Sequence, residues 1–212
     1  RTTMLTIHHS PGTRGFRVIW VCEELGLPYE IRPVDFSAAY RRSDEWRAMH
    51  PVSKVPVMDD GDLRMHESCA MIQYILARYA NGRLHPAATD PDYAHFLQWL
   101  WFSEATFQRP LGEITNHRRE FNPELPDVVA EMKGRATACV EALDEALAGR
   151  PYLLGDEMTA ADLSNAYVLR GYRSSVSEDL PANVAAFWDR MTALPSYERT
   201  VRRDAETREK LG

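Results

Sequence analysis

Residues 50–74 read HPVSKVPVMDDGDLRMHESCAMIQY, and no other stretch limits the possible folds so strongly. Val57-Met58 and Leu63-Arg64-Met65 are two short β runs joined by Asp59-Asp60-Gly61-Asp62, a strong hairpin signal. Pro51 and Pro56 bracket Lys54-Val55 just before the first run. After Met65 the period changes: Met71, Tyr74, Ile75 and Tyr79 recur at helical spacing behind Glu67-Ser68. A helix is therefore predicted to open at Glu67 and Ser68, with unpaired backbone N–H groups, a partial positive charge and a hydroxyl at its mouth. Such a mouth suits a carboxylate.

Upstream, residues 4–8 alternate as a strand, 9–13 (His-Ser-Pro-Gly-Thr) form a turn, and 14–25 present Val18, Ile19, Cys22 and Leu25 on one helix face. Gly26 ends that helix, and 29–36 give a second strand, which completes a βαβ unit. The charged segment 37–49, with Trp46, is expected as a short exposed helix or turn. Downstream of 81–90, a linker containing Pro86, strand signals disappear. Tyr93, Phe96, Leu97, Leu100 and Trp101 mark a long amphipathic helix, broken or kinked at Pro110 where the ring removes an N–H. The polar stretch 113–126 is expected as a frayed helix end and loop. Val129, Met132, Ala136, Cys139, Val140, Leu143 and Leu147 mark the next helix. Further helices are predicted over 159–173, 181–193 and from 196 onward, with the charged last dozen residues fraying. Thr159-Ala160-Ala161-Asp162 is a capping box with Asp in place of Glu, a folding element rather than a catalytic one.

The order Lys54-Val55-Pro56, a DDGD hairpin, then Glu67-Ser68 opening a helix resembles the glutathione-binding half of the cytosolic glutathione S-transferases. The resemblance runs over nearly the whole chain, although its specific motifs lie in the first 80 residues. Taken singly, each motif also serves merely to fold a small α/β domain. Together they imply an N-terminal thioredoxin-like α/β domain over 1–80, a linker over 81–90 and an all-helical domain over 91–212. They imply a cis bond before Pro56, and Val55 offering its backbone N–H and C=O to the cysteinyl part of glutathione. Glu67 and Ser68 would hold the γ-glutamyl end. Lys54 and His50 flank the groove where the family binds the glycyl carboxylate, with an ordinary solvated role equally open for His50. The family further implies a homodimer and a pocket for the electrophile lined by the second domain. Tyr93, Trp99, Trp101, Phe102 and Phe107 are candidates for that lining, though aromatics at helical spacing are usually core. The cap at 159–162 looks like the one in the family's helical domain.

The chemistry needs a thiolate, because a free thiol near pKa 8.5 is little ionised at neutral pH. A hydroxyl donating to sulfur beside a helix N-terminus lowers that value. The turn at 9–14 is where such a donor belongs. Pro11-Gly12-Thr13, four residues before Arg17, resembles the turn of bacterial, theta- or delta-like members, with Thr13 at the position of their Ser. Ser10 is the competing donor, Arg14 adds charge, and the bland role of Thr13 is a helix cap. No Cys lies in this turn, which argues against the cysteine-using classes. The expected activity is glutathione transfer to an electrophile. Its alternatives are disulfide or peroxide reduction on the same site, and a binding protein without turnover.

Composition sets the remaining bounds. A net charge of −6 argues against nucleic acid as a partner. No apolar run approaches the ~20 residues needed to cross a bilayer, and no signal-peptide core is present. Three isolated cysteines, Cys22, Cys69 and Cys139, fit a reducing compartment, so a cytoplasmic location is expected. The seven histidines show no metal-binding spacing, so no metal is expected.

Overall fold

The computed structural model describes residues 4–212; the Arg1-Thr2-Thr3 start lies outside the described residues. The chain forms two compact units, Arg1–Arg83 together with Leu194–Gly212, and Leu84–Ala193.

The first unit begins β1 (Leu5–His9), α1 (Gly15–Leu25), β2 (Tyr29–Pro33), α2 (Ala38–Arg41) and α3 (Asp44–Met49). It continues with β3 (Val57–Asp60), β4 (Leu63–Met65) and α4 (Ser68–Tyr79). The sheet order is β2-β1-β3-β4. β1 and β2 run parallel, whereas β1–β3 and β3–β4 are antiparallel. This is the thioredoxin-like α/β arrangement that the sequence order implies. The hairpin pairs Met58 with Met65 and Asp60 with Leu63, so the turn tightens onto Gly61 at φ 60°. Asp59 joins three strands chemically: it accepts from Arg64 at 2.7 and 3.0 Å and from His8 at 2.8 Å.

Two local expectations change. Residues 37–49 form short, mostly exposed helices as expected, but two of them rather than one, and Trp46 is not exposed with them: it is only 1% exposed and packs with Val34, Val55 and Val57. Ser37 and Ser43 cap these helices through their hydroxyls. Residues 194–212, assigned from sequence to the helical domain, belong instead to the α/β unit. They form α10 (Pro195–Glu209), which takes in most of the charged last dozen residues. Its buried side chains are Ser196, Thr200, Asp204 and Thr207, a stripe at helical spacing made wholly of small polar residues. An apolar-periodicity argument misses such a stripe. Its polar groups are engaged: Thr200 and Thr207 donate to the Ser196 and Arg203 carbonyls at 2.7 Å each. Ser196 accepts from Trp20 Nε1 at 3.1 Å and donates to Glu24, and Arg199 grips the Glu23 carboxylate at 2.7 Å. With α10 on one flank and the sheet and α4 on others, α1 is buried almost all round, Phe16, Trp20 and Val21 included.

The second unit is all helical: α5 (Tyr93–Trp101), α6 (Gln108–Glu120), α7 (Pro126–Ala146), α8 (Ala160–Ser175) and α9 (Ala182–Thr192). Pro110 does not break the chain. A π-helical stretch, Phe102–Phe107, joins α5 to α6, and Pro110 falls in the first turn of α6. The wider π turn just before it accommodates the ring and the missing N–H. α6 then continues to Glu120, further than the polar composition of 113–126 suggested. Asp162 accepts from Thr159 N at 2.7 Å, Thr159 Oγ1 at 3.0 Å and Leu153 N at 2.8 Å, so the expected capping box is formed.

Candidate active site

The site is assembled from three turns of the α/β unit. The first is the loop before β3. The Val55–Pro56 bond is cis, as the resemblance implies. Val55 and Pro56 are buried, while Lys54 is exposed. His50 is 4% exposed, and its Nδ1 accepts from Val52 N–H at 3.2 Å, closing the loop on itself. Burial, with the adjacent His66 ring 4.3 Å away, holds the His50 imidazole below its ordinary pKa. The ring is therefore neutral at pH 7, which leaves Lys54 as the cation at this corner.

The second turn opens α4. Glu67 sits at φ 70°, ψ 103°, at positive φ outside the regions that L-residues favour, and it is exposed. Ser68 is 3% exposed, and its Oγ is buried without a hydrogen-bond partner. A buried hydroxyl left unmatched costs about 1–3 kcal/mol, and backbone in this region costs a comparable amount. Two such costs fall on adjacent residues at a helix mouth that favours anions, which makes it a candidate anion site.

The third turn connects β1 to α1. Thr13 N–H donates to the Ser10 carbonyl at 3.2 Å, with Pro11 and Gly12 between them and Gly12 at φ 76°, the arrangement of a type II turn. Thr13 is half-buried, and its hydroxyl also donates to the Ser10 carbonyl, at 2.7 Å. Ser10 is 7% exposed. Arg17 is fully buried, and its Nη1 donates to Cys69 Sγ at 3.4 Å, linking α1 to the first turn of α4. The chain's own cysteines are all buried. Burial pushes the Cys22 thiol up to about 12 and the Cys139 thiol up to about 11, so neither is a thiolate at neutral pH.

In the helical unit, a cavity of about 540 Å³ is lined by Phe102, Arg109, Pro110, Met132, Arg135 and Cys139, among others. Of the aromatics considered for a pocket, Phe102 alone lines it; Phe107 is buried core. Asp204, from α10, touches the 10–13 turn, and sequence reasoning missed it. Among the described residues no helix is long and apolar enough to cross a membrane.

Comparison with known proteins gives the same answer from both ends of the chain. Residues 8–83 match the glutathione S-transferase N-terminal domain, and residues 114–195 match the C-terminal domain. Glutathione S-transferase 3 of Zea mays is 28% identical over 87% of each chain. The glutathione S-transferase of Hyoscyamus muticus is 27% identical, covering 87% of this chain and 91% of its own. Among solved structures, the glutathione transferase URE2P8 of Phanerochaete chrysosporium, solved with oxidised glutathione, superposes with a TM-score of 0.89 at 24% identity. That match covers 99% of this chain and 98% of the other. These relatives are plant and fungal proteins and do not support a bacterial theta- or delta-like subtype. With both halves matched and the fold shared end to end, the chain belongs to the glutathione S-transferase family.

Proposed function

We propose that the α/β unit binds glutathione and that the enzyme conjugates it through its thiolate sulfur to the electrophilic carbon of a small substrate, displacing a leaving group or adding across an activated double bond, and works as a cytoplasmic homodimer. The observation that carries this reading is the orphaned, buried Ser68 hydroxyl beside left-handed Glu67 at the mouth of α4. In this reading Ser68 Oγ donates to the γ-glutamyl carboxylate, and Glu67 takes the ammonium. Val55 pairs its backbone with the cysteinyl peptide, Pro56 fixes the direction of that strand edge, and Lys54 meets the glycyl carboxylate. His50, neutral and tied to Val52, shapes the loop and offers at most an Nε2–H.

Bound glutathione supplies a thiol whose anion is the nucleophile. The 10–14 turn favours that anion. The Thr13 hydroxyl rotates from the Ser10 carbonyl to sulfur and exchanges a neutral hydrogen bond for a charge-assisted one, roughly twice as strong. The mouth of α1 adds its partial positive charge. Ser10 is the alternative donor. The spacing of Thr13 to Arg17 supports a theta- or delta-like turn with Thr in place of Ser. For the dimer, the support is the family, in the reading above.

Calorimetric titration with glutathione is expected to saturate by millimolar ligand; a flat titration sinks the reading. Turnover of a model electrophile should exceed turnover of disulfides and peroxides. The reverse ranking would assign the reductase activity, and retention on glutathione resin without turnover a binding role. Thr13→Ala should raise the apparent pKa of the bound thiol by about one to two units and lower kcat accordingly, with Ser10→Ala nearly silent. The opposite pattern moves the role to Ser10. Light scattering should give twice the chain mass.

A further inference from the structure

The turn that offers Ser10 and Thr13 is not held by its own residues alone. Gly12 N–H donates to Asp204 Oδ1 at 2.9 Å, and His9 Nε2 donates to the same oxygen at 2.9 Å. Asp204 is 4% exposed and His9 fully buried, so the bond between them is shielded from water, while the bond from exposed Gly12 is part-buried. The far side of the His9 ring rests against Gly15 so closely that a Cβ there would lie 2.3 Å from Nδ1. The imidazole is thus pinned between α1 and α10, and its position fixes that of the carboxylate oxygen.

A Pro-Gly turn has two forms, types I and II, which differ by rotating the central peptide through roughly half a turn. In this chain that peptide is Pro11–Gly12, and the direction of the Gly12 N–H distinguishes the two forms. We infer that Asp204 is a positioning residue for glutathione activation: by accepting from both His9 and Gly12, its Oδ1 holds the Pro11–Gly12 peptide in the type II orientation and ties the turn that carries Ser10 and Thr13 to α10. This rests on the function proposed above. The role is geometric rather than electrostatic, because a carboxylate near the turn opposes a second anion at sulfur. Charge and position therefore make opposite predictions.

Three variants separate them. Asp204→Asn keeps an oxygen that accepts from both donors and removes the charge; kcat should stay within about twofold and the bound-thiol pKa should hold or fall. Asp204→Ala removes the acceptor, and the bound-thiol pKa, read from thiolate absorbance against pH, should rise by about one unit. Its kcat below that pKa should drop about tenfold, with a smaller change in the glutathione Kd. Asp204→Glu keeps the charge but displaces the oxygen by a methylene, and should resemble Asp204→Ala. Hydrogen exchange at the Gly12 amide, protected in wild type and in Asp204→Asn but not in Asp204→Ala, reads the clasp without any ligand. Should Asp204→Ala fail to fold, the Asn and Glu variants still decide. An active Glu variant beside an inactive Asn variant, or unchanged thiol titration in a folded Ala variant, overturns the inference. Failure of wild type to bind glutathione would instead remove the functional reading and leave the amide-exchange result standing.

Discussion

Two helix mouths in this protein are made of similar residues and finish differently. At α8, Thr159 and Asp162 close the helix on itself. The fully buried carboxylate takes three donors from Thr159 and Leu153, and no buried oxygen of the pair is left unmatched. At α4, Glu67 is left-handed and exposed, and the buried Ser68 hydroxyl has no partner. A completed polar network stabilises a fold; an incomplete one in a well-packed setting marks where a ligand completes it. On the function proposed above, the first mouth is a folding device and the second a binding device, and the two should respond oppositely to truncation.

The largest expected effect is at α8. Asp162→Ala orphans the Thr159 and Leu153 amides and should cost about 3–5 kcal/mol in denaturant unfolding, with no direct effect on glutathione affinity of the folded fraction. Burial pushes the Asp162 carboxyl up to about 6 against its three donors. The folded state thus holds this proton more tightly than the unfolded chain, and the stability so contributed is full below the unfolded pKa and declines as pH rises through about 6. The wild-type advantage over Asp162→Ala should accordingly be greater at pH 4 than at pH 7. An advantage that grows with pH would show that the donors outweigh burial.

Ser68→Ala should do the reverse. Removing an unmatched buried hydroxyl should leave stability unchanged or raise it slightly, while glutathione affinity, measured by calorimetry, falls by about 1.5–3 kcal/mol for the lost bond to a charged group. Loss of stability without loss of affinity would make the α4 mouth a folding device like α8. The smallest effect is at Glu67. Glycine adopts positive φ at little cost, so Glu67→Gly should raise the unfolding free energy by up to about 1 kcal/mol and still weaken glutathione binding. If both fall together, the left-handed backbone is not a cost borne for the ligand.

Much of this was legible in one dimension because the physics is local. Pro-Gly and Asp-Gly pairs specify turns through their own dihedral limits, as Gly12 and Gly61 do. Alternation and helical spacing specify β1 and α1, and Thr159 with Asp162 is a cap whose partners lie within one helical turn. The positions of Val55, Pro56, Glu67 and Ser68 around two turns followed from their order along the chain. What escaped were features whose partner is distant in sequence. Trp46 looks like a lone aromatic among charges until Val34, Val55 and Val57 close around it. The stripe Ser196, Thr200, Asp204 and Thr207 reads as solvated, because no hydrophobic period distinguishes it from the exposed faces of α10. Only its docking on α1 supplies Trp20, Glu24, His9 and Gly12 as partners and makes buried polarity affordable in free energy. The sequence by itself determined which turns and helix mouths exist. The tertiary structure decided which of their polar groups are matched across the fold, because desolvation, unlike a turn dihedral, is set by whatever packs on top.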